Sequence, residues 1–481
     1  MRVQSLNAPT HEEITNLMTN ESFDMVVVGC GAGGLSAALG FLEESAERGV
    51  SPSVAIVERS TEADRGGATR WSWVNVMVDP DGTVDPAIME RVLDSDPAYD
   101  REYFSLLRKL GHESVDWMKA NGVSVSHAAP PFAMESNYGA VEGGGLSLIE
   151  AFAARIEGHT GSRFLYQTEA VRLTQDDQGR VSGVVVRDAD GLTRTLAAKK
   201  VVLASGGFEG NYEMLTQYVG PRANEIRPVA PGLKYNRGDG LRMVTEIGGS
   251  TAGQFDMLHV ELVDPRSTKP DPGVFGAPYG LMVNADAERF IDEGSRTFEG
   301  LNEKLAWTVW RDHDNLAYFV YDAETEALPG FEFLNQTDVP PFEGDTIEEL
   351  AAAMNIDAAK FSATIHEFNK AVQEGEFDPS RPDGKCTNGL AIEKSNWARP
   401  IQQPPFKAVP GSAAITFCFG GVRTDTRARV VTGNGTPIPN LYAAGVLTGV
   451  WYQEYPGALS VLRSVTFGRI AGREAANDLF I

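Results

Sequence analysis

Cysteine is scarce in this 481-residue chain: Cys30, Cys386 and Cys418 are the only three, far apart and odd in number. That excludes a disulfide framework and is the usage of a reducing compartment. It also excludes an iron–sulfur cluster held by four cysteines, and no haem-attachment motif is present. The chain therefore has no built-in wire for electrons. Histidine is scarce as well, with seven, and no His/Cys/carboxylate group has the spacing of metal ligands, so no metal is expected. No Gly-x-Ser-x-Gly elbow or similar nucleophile signature appears. Long apolar runs are missing: nothing approaches the roughly 18 residues of a membrane span. The first 22 residues, with His11, Glu12, Glu13 and Glu21, lack the basic start and apolar core of a secretory signal. A cytoplasmic location is the expectation, and the glycosylation matches at Asn20 and Asn335 are then chance. Basic residues are outnumbered 42 to 66, a formal charge of -24, which argues against nucleic acid or an anionic membrane as partner. A small anionic substrate stays open, because a local arginine pocket can oppose the global sign. Internal repeats and low-complexity tracts are absent.

What is present is the material of a globular protein, 42% hydrophobic and 22% charged, too long for one simple core. Its organising stretch is 23–34. An apolar run, 25–28, enters Gly29-x-Gly31-x-x-Gly34, and Leu35, Ala38, Leu39 and Leu42 follow at helical spacing. A second apolar strand, 54–57, ends in Glu58. This order is the dinucleotide-binding fingerprint, and each part has its own physical job. Gly29 allows the tight turn, Gly31 lets backbone approach a pyrophosphate, and Gly34 lets helix and strand pack closely. The helix N-terminus offers unpaired N–H groups to phosphate, and Glu58 can accept hydrogen bonds from a ribose.

Further along, Arg65-Gly66-Gly67-Ala68-Thr69-Arg70 is a second glycine-rich loop placed where backbone can pass close to a flat ligand. Residues 81–125 read as helical, with Trp117 and Met118 as core, and Gly143-Gly144-Gly145 opens another amphipathic helix. Strands are expected near 164–166 and 181–186, joined as a hairpin across Asp176-Asp177-Gln178-Gly179, and again at 201–204. Between 255 and 395 the rhythm changes: strands at 281–284 and 317–321 mix with helices at 347–354 and 361–373. This reads as an inserted domain whose Asp/Glu-rich face is simple solvation. The chain then returns through Pro400, Pro404 and Pro405 to a strand at 441–444, Gly445, Tyr455-Pro456-Gly457 and a last helix over 460–477. The expected fold is α/β. A discontinuous Rossmann-like FAD-binding domain (22–254 and 396–481) carries an α+β capping domain (255–395), after an N-terminal extension (1–21).

The ordered motifs Gly29-x-Gly31-x-x-Gly34, Arg65-Gly66-Gly67, Ala204-Ser205-Gly206-Gly207-Phe208-Glu209 and Asn236-Arg237-Gly238-Asp239-Gly240 resemble one superfamily. Arg289-Phe290-Ile291-Asp292-Glu293, Phe419-Gly420-Gly421-Val422, Leu441-Tyr442-Ala443-Ala444-Gly445 and Phe467-Gly468-Arg469-Ile470-Ala471-Gly472 continue the match. The chain resembles the FAD-binding fumarate reductase/succinate dehydrogenase flavoproteins over nearly its whole length after residue 22. Gly206 to Asn211 and Tyr455-Pro456-Gly457 with Arg463 look like the tricarballylate dehydrogenase-like branch. The Tyr-Pro-Gly is also similar to that of 3-ketosteroid Δ1-dehydrogenases. The resemblance implies FAD contacts at Gly29, Gly31, Ala32, Gly33, Gly34, Glu58, Arg59, Arg65, Gly66, Gly67, Ala68 and Thr69. It implies further contacts at Ala170, Val171, Ala204, Ser205, Gly206 and Asp239, and near the end at Gly445, Leu459 and Ser460. The histidine that attaches flavin covalently in succinate dehydrogenases is missing from 65–73, so FAD is expected to be non-covalent. Fumarate reductases also carry a histidine where this chain has Phe417, Cys418 and Phe419, and an arginine where it has Tyr455-Pro456.

The implied chemistry is dehydrogenation of a C–C bond α,β to a carboxylate or carbonyl, or reduction of the matching enoate. A base takes the α-proton and the hydride goes to flavin N5. Four residues are candidates for the protein's part. Tyr455 would transfer a proton or contact the carbonyl; its alternative is a buried structural role. Arg463 would clamp a carboxylate bidentately, or else bridge to an acid of the other domain. Arg296 would donate the proton, and His259 would bind substrate. The favoured substrate is a small carboxylate, with a steroid or cyclic ketone as the alternative and a catalytically silent flavin-binding module as the rival of another class. The sequence leaves the electron acceptor, the direction and the oligomeric state open.

Overall fold

The computed structural model describes residues 21–79, 83–127 and 131–480. The expected N-terminal extension lies outside the described residues except for Glu21, which starts the first strand. That strand, Glu21–Val28, is central in an eight-stranded sheet. It pairs in parallel with Val54–Val57 on one side and Thr193–Leu203 on the other. Ser162–Leu165 extends the sheet beyond Val54–Val57, and Pro437–Ala443 extends it beyond Thr193–Leu203, both in parallel. The stretches 25–28, 54–57 and 201–203 are buried on both faces and read as continuous apolar runs, whereas Ser162–Leu165 is only partly buried. Helices Ala32–Glu47 and Ser460–Asn477 pack on each other along small residues at one face of the sheet, with Gly468 and Gly472 against the backbone of Gly33 and Ala37.

One expected hairpin has a different first strand. Residues 162–165 add to the parallel sheet, and the partner of Val181–Arg187 across the Asp176 turn is Glu169–Gln175. The short apolar run 164–166 had no period that could separate a buried parallel strand from a hairpin arm.

A second, six-stranded sheet is built around the long strand Phe406–Cys418. Leu258–Val263, Ala317–Tyr321 and Phe342–Gly344 pair with it antiparallel, and Leu281–Asn284 continues beyond Ala317–Tyr321. The expected boundary at 395/396 therefore differs from the sheet boundary. The prolines at 400–405 lead into the second sheet, and the chain rejoins the first sheet only after Cys418. Helix Phe298–Asp312 covers this sheet and packs on Leu258–Val263 through Trp307, whose indole N–H donates to the Leu258 carbonyl. Among the described residues no helix is long and apolar enough to cross a membrane.

Candidate active site

The glycine turn after the first strand makes the floor of a groove. Gly29 sits at φ +99°, and a Cβ there would overlap the Ala204 carbonyl, so no other residue fits. Gly34 does not line the groove: its missing Cβ makes room for the Gly29 carbonyl, the packing job expected of the third glycine. From the sequence candidates, Gly29, Gly31, Ala32, Gly33, Glu58, Arg59, Gly67, Ala68, Thr69, Ala170, Ala204, Ser205, Gly206, Asp239 and Gly445 line it together.

Glu58 accepts N–H bonds from Cys30 at 3.1 Å and Ser60 at 2.8 Å, one on each carboxylate oxygen. The Cys30 thiol also donates to the first of these oxygens at 2.9 Å, so the oxygen bonded by Ser60 keeps acceptor capacity for a ribose hydroxyl. Arg59 is held between Glu169 and Asp239. Ser205 Oγ is buried and unpartnered, lying against Gly240. Gly31 gives the Ala32–Glu47 helix no side-chain cap; the Ala32 N–H donates to Thr69 Oγ1 at 3.2 Å, and the N–H groups after it are left for a pyrophosphate. These features fit FAD.

Several candidates stand elsewhere. Arg65 is turned away: its guanidinium meets Glu157 at 2.6 Å, Tyr166 at 2.7 Å and Glu150, tying the loop to helix Gly144–Glu157. Gly66 packs behind the groove on Ile149. Val171 sits at the irregularity between Ala170 and Arg172, where its carbonyl accepts from Arg242. Leu459 is buried, and Ser460 lines a neighbouring cavity instead. Thr416, Val446 and Ser464, not expected from the sequence, line both the groove and this cavity, as does Phe417. Thr416 was missed because it comes from a strand of the second sheet.

The neighbouring cavity, of about 270 Å³, brings together two of the four catalytic candidates, Tyr455 and His259. One wall is apolar, with Trp71, Met134, Leu233, Phe275, Phe298 and Phe333. The other carries Tyr455, His259, Glu261, Asp271, Glu299 and Glu303. Local geometry explains the cluster. In strand Leu258–Val263 alternate side chains share a face, so His259 and Glu261 both turn inward while Leu258, Val260 and Leu262 enter the core. On helix Phe298–Asp312, Glu299 and Glu303 are four apart and share one side. His259 Nδ1 bonds Glu303 at 2.5 Å and its Nε2 lies 3.4 Å from Glu261. Burial alone would pull the imidazolium down, but the two glutamates outweigh it and hold its pKa up at about 9. Burial, then the Glu261 charge, pushes the Asp271 carboxyl well above the usual range. Burial raises Glu299 to about 8. The solvating role expected for the acidic residues of this segment thus does not hold for these four.

Tyr455 lies in a tight loop with Gln453 and Ala458 at positive φ, just before the last helix. Its ring meets those of His259 at 4.6 Å, Phe417 at 5.0 Å and Trp451 at 5.0 Å. Its hydroxyl oxygen accepts the N–H groups of Leu459 at 2.9 Å and Ser460 at 2.8 Å. Burial pushes the phenol up to about 12 against those bonds. The hydroxyl is therefore protonated, with its lone pairs engaged and its proton left to donate.

Arg463 is not in the cavity. It is 1% exposed and donates to the Gly445 carbonyl at 3.2 Å and to Thr448 Oγ1 at 2.9 Å, beneath Trp451. The loop after the Pro437–Ala443 strand needed those donors, and a one-turn position inside the helix could not reveal it. Arg296 lies outside as well, bonding the Gly300 carbonyl at 3.2 Å and facing Glu454 at 3.7 Å.

The profile of the FAD binding domain family matches residues 24–457. The chain belongs to this family of flavoproteins. It is 30% identical over 389 residues to NADH:acrylate oxidoreductase of Vibrio harveyi, a match covering 76% of this chain and 36% of that protein. It is 30% identical over 361 residues to 4-oxocyclohexanecarboxylate 2-dehydrogenase of Sinomonas cyclohexanicum, covering 69% of this chain and 60% of that one. The chain thus spans less than two thirds of either relative. Its fold is that of the open flavocytochrome c3 fumarate reductase, at TM-score 0.77 and 23% identity, covering all of this chain and 83% of that one. The chain is an FAD-binding flavoprotein, and the groove and the cavity beside it are the candidate sites for the cofactor and a small-molecule substrate.

Proposed function

We propose that the cavity takes a compact, neutral ketone or enone, and that the chain dehydrogenates the C–C bond α,β to that carbonyl or reduces the matching enone. It is an FAD-dependent oxidoreductase acting on CH–CH bonds. The observation that carries the reading is the cavity's chemistry: among the described residues lining it there is no arginine or lysine, and Tyr455 presents a free O–H donor. No arginine or lysine among the described lining residues could pair a carboxylate there, and the His259 imidazole already has a glutamate at each ring nitrogen. Bound FAD accepts or returns the hydride. Tyr455 donates to the carbonyl oxygen and holds the charge that develops as the α-proton leaves, while the helix N–H groups behind it keep the hydroxyl oriented. The apolar wall orients the carbon skeleton and excludes water. The printed name of the Sinomonas relative is that of a dehydrogenase of a cyclic ketone that also carries a carboxylate, and only its ketone half bears on this reading.

The capping role of the second sheet rests on His259, Glu261 and helix Phe298–Asp312, which line the cavity beside the flavin groove. FAD is bound without a covalent link, as the loop 65–73 contains no histidine. The test is anaerobic titration of the FAD-loaded protein with cyclohexanone and saturated 3-ketosteroids in one series, and tricarballylate and succinate in another. Loss of the oxidised flavin absorbance with the ketones is expected. Loss with the acids alone would overturn the ketone reading.

A further inference from the structure

A second cavity, of about 320 Å³, lies behind the first. It opens to solvent between exposed Lys304, Arg311 and Gln453. Glu299, Glu303 and Tyr455 line both spaces, so these three side chains form the partition. Glu303 is fixed in it from two directions: His259 Nδ1 at 2.5 Å, and the backbone N–H of Tyr455. Its carboxylate therefore stands beside the residue whose hydroxyl meets the carbonyl, and the α-carbon of a ketone is one bond from that carbonyl.

We propose that Glu303 carries the substrate's α-proton between the inner cavity and solvent in the outer one. This rests on the ketone reading above. Breaking the α-C–H bond leaves its electron pair in the enolate, whose oxygen Tyr455 holds. The proton bonds to a Glu303 carboxylate oxygen and passes outward, and in the reducing direction the same carboxyl returns it. His259, bonded to Glu303 at Nδ1 and with Glu261 3.4 Å from its Nε2, positions the carboxylate and balances its charge.

The test is deuterium wash-in to cyclohexanone by the FAD-loaded protein in D₂O, followed by proton NMR. The unmodified protein is expected to exchange the α-protons. Glu303→Gln slows this roughly 100-fold or more, the scale of general acid–base catalysis. Dissolved formate restores part of the rate in Glu303→Gln, and Glu303→Asp is intermediate. A glutamate with only a structural role would not be rescued by a small acid. Unchanged exchange in Glu303→Gln, or a loss that neither formate nor Glu303→Asp relieves, overturns the relay and leaves the ketone reading intact. No exchange by the unmodified protein overturns the ketone reading, and the relay with it.

Discussion

Replacing Tyr455 by phenylalanine removes one oxygen and keeps the ring among His259, Phe417 and Trp451. Two effects follow from that oxygen's bonds. The N–H groups of Leu459 and Ser460 lose their acceptor at the start of the last helix. At about 0.5–1.5 kcal/mol for each net hydrogen bond, stability falls by about 1–3 kcal/mol. The larger effect is on rate, since the donor to the developing oxyanion is gone. Loss of one such preorganised donor costs roughly 10²–10³-fold in turnover. Stopped-flow loss of the flavin's visible absorbance with a ketone substrate measures the rate, and denaturant unfolding measures the stability. The expected pattern is a large loss of rate in a protein that still folds and keeps FAD. A rate within about threefold of the parent, far short of one lost oxyanion donor, would show that the hydroxyl serves only the helix.

Arg463→Met is expected to act on stability, because its partners are the Gly445 carbonyl and Thr448; about 2–3 kcal/mol is lost through unpaired buried acceptors. The KM for a ketone should stay close to the parent's in steady-state assays, whereas a true substrate clamp would raise it steeply. The pH dependence of stability has a definite sign. Glu299 is raised to about 8 and His259 to about 9 in the folded protein, so both hold protons that the unfolded chain has released. Glu299 makes stability fall as pH rises from its unfolded value near 4.5 through about 8, and His259 from near 6.5 through about 9. Denaturant melts across this range should show the decline, and Glu299→Gln should flatten its acidic half. Gly29→Ala places a Cβ against the Ala204 carbonyl at a positive φ, and the purified variant should carry much less FAD per chain by absorbance.

The flavin half of the fold was legible because its signals are local. The run 25–28, the glycine turn, the 3.6-residue period after it and Glu58 lie within 36 residues of one another. Helix Ser460–Asn477 was equally plain from its small-residue and apolar pattern. The second sheet was harder, since its central strand, Phe406–Cys418, follows a proline-rich stretch that also reads as a linker home. The acids lining the cavity were hidden for a different reason. Glu261, Glu299 and Glu303 look like surface charge in a chain with 66 acidic residues, and burial is a tertiary property. The local clue was their geometry: Glu261 two residues from His259 on a strand, and Glu303 four from Glu299 on a helix. Arg463 misled in the opposite sense, because an arginine near a substrate motif suggests a clamp until its donors are seen to be taken by loop carbonyls.

The central claim is that the cavity beside FAD recognises a neutral carbonyl through the Tyr455 hydroxyl. Isotope-edited infrared spectroscopy of carbonyl-labelled cyclohexanone bound to the FAD-loaded protein tests it most directly. A C=O stretch shifted to lower frequency on binding, and returned towards the free value in Tyr455→Phe, is the predicted result. An unshifted stretch, or a shift that survives in Tyr455→Phe, would contradict it.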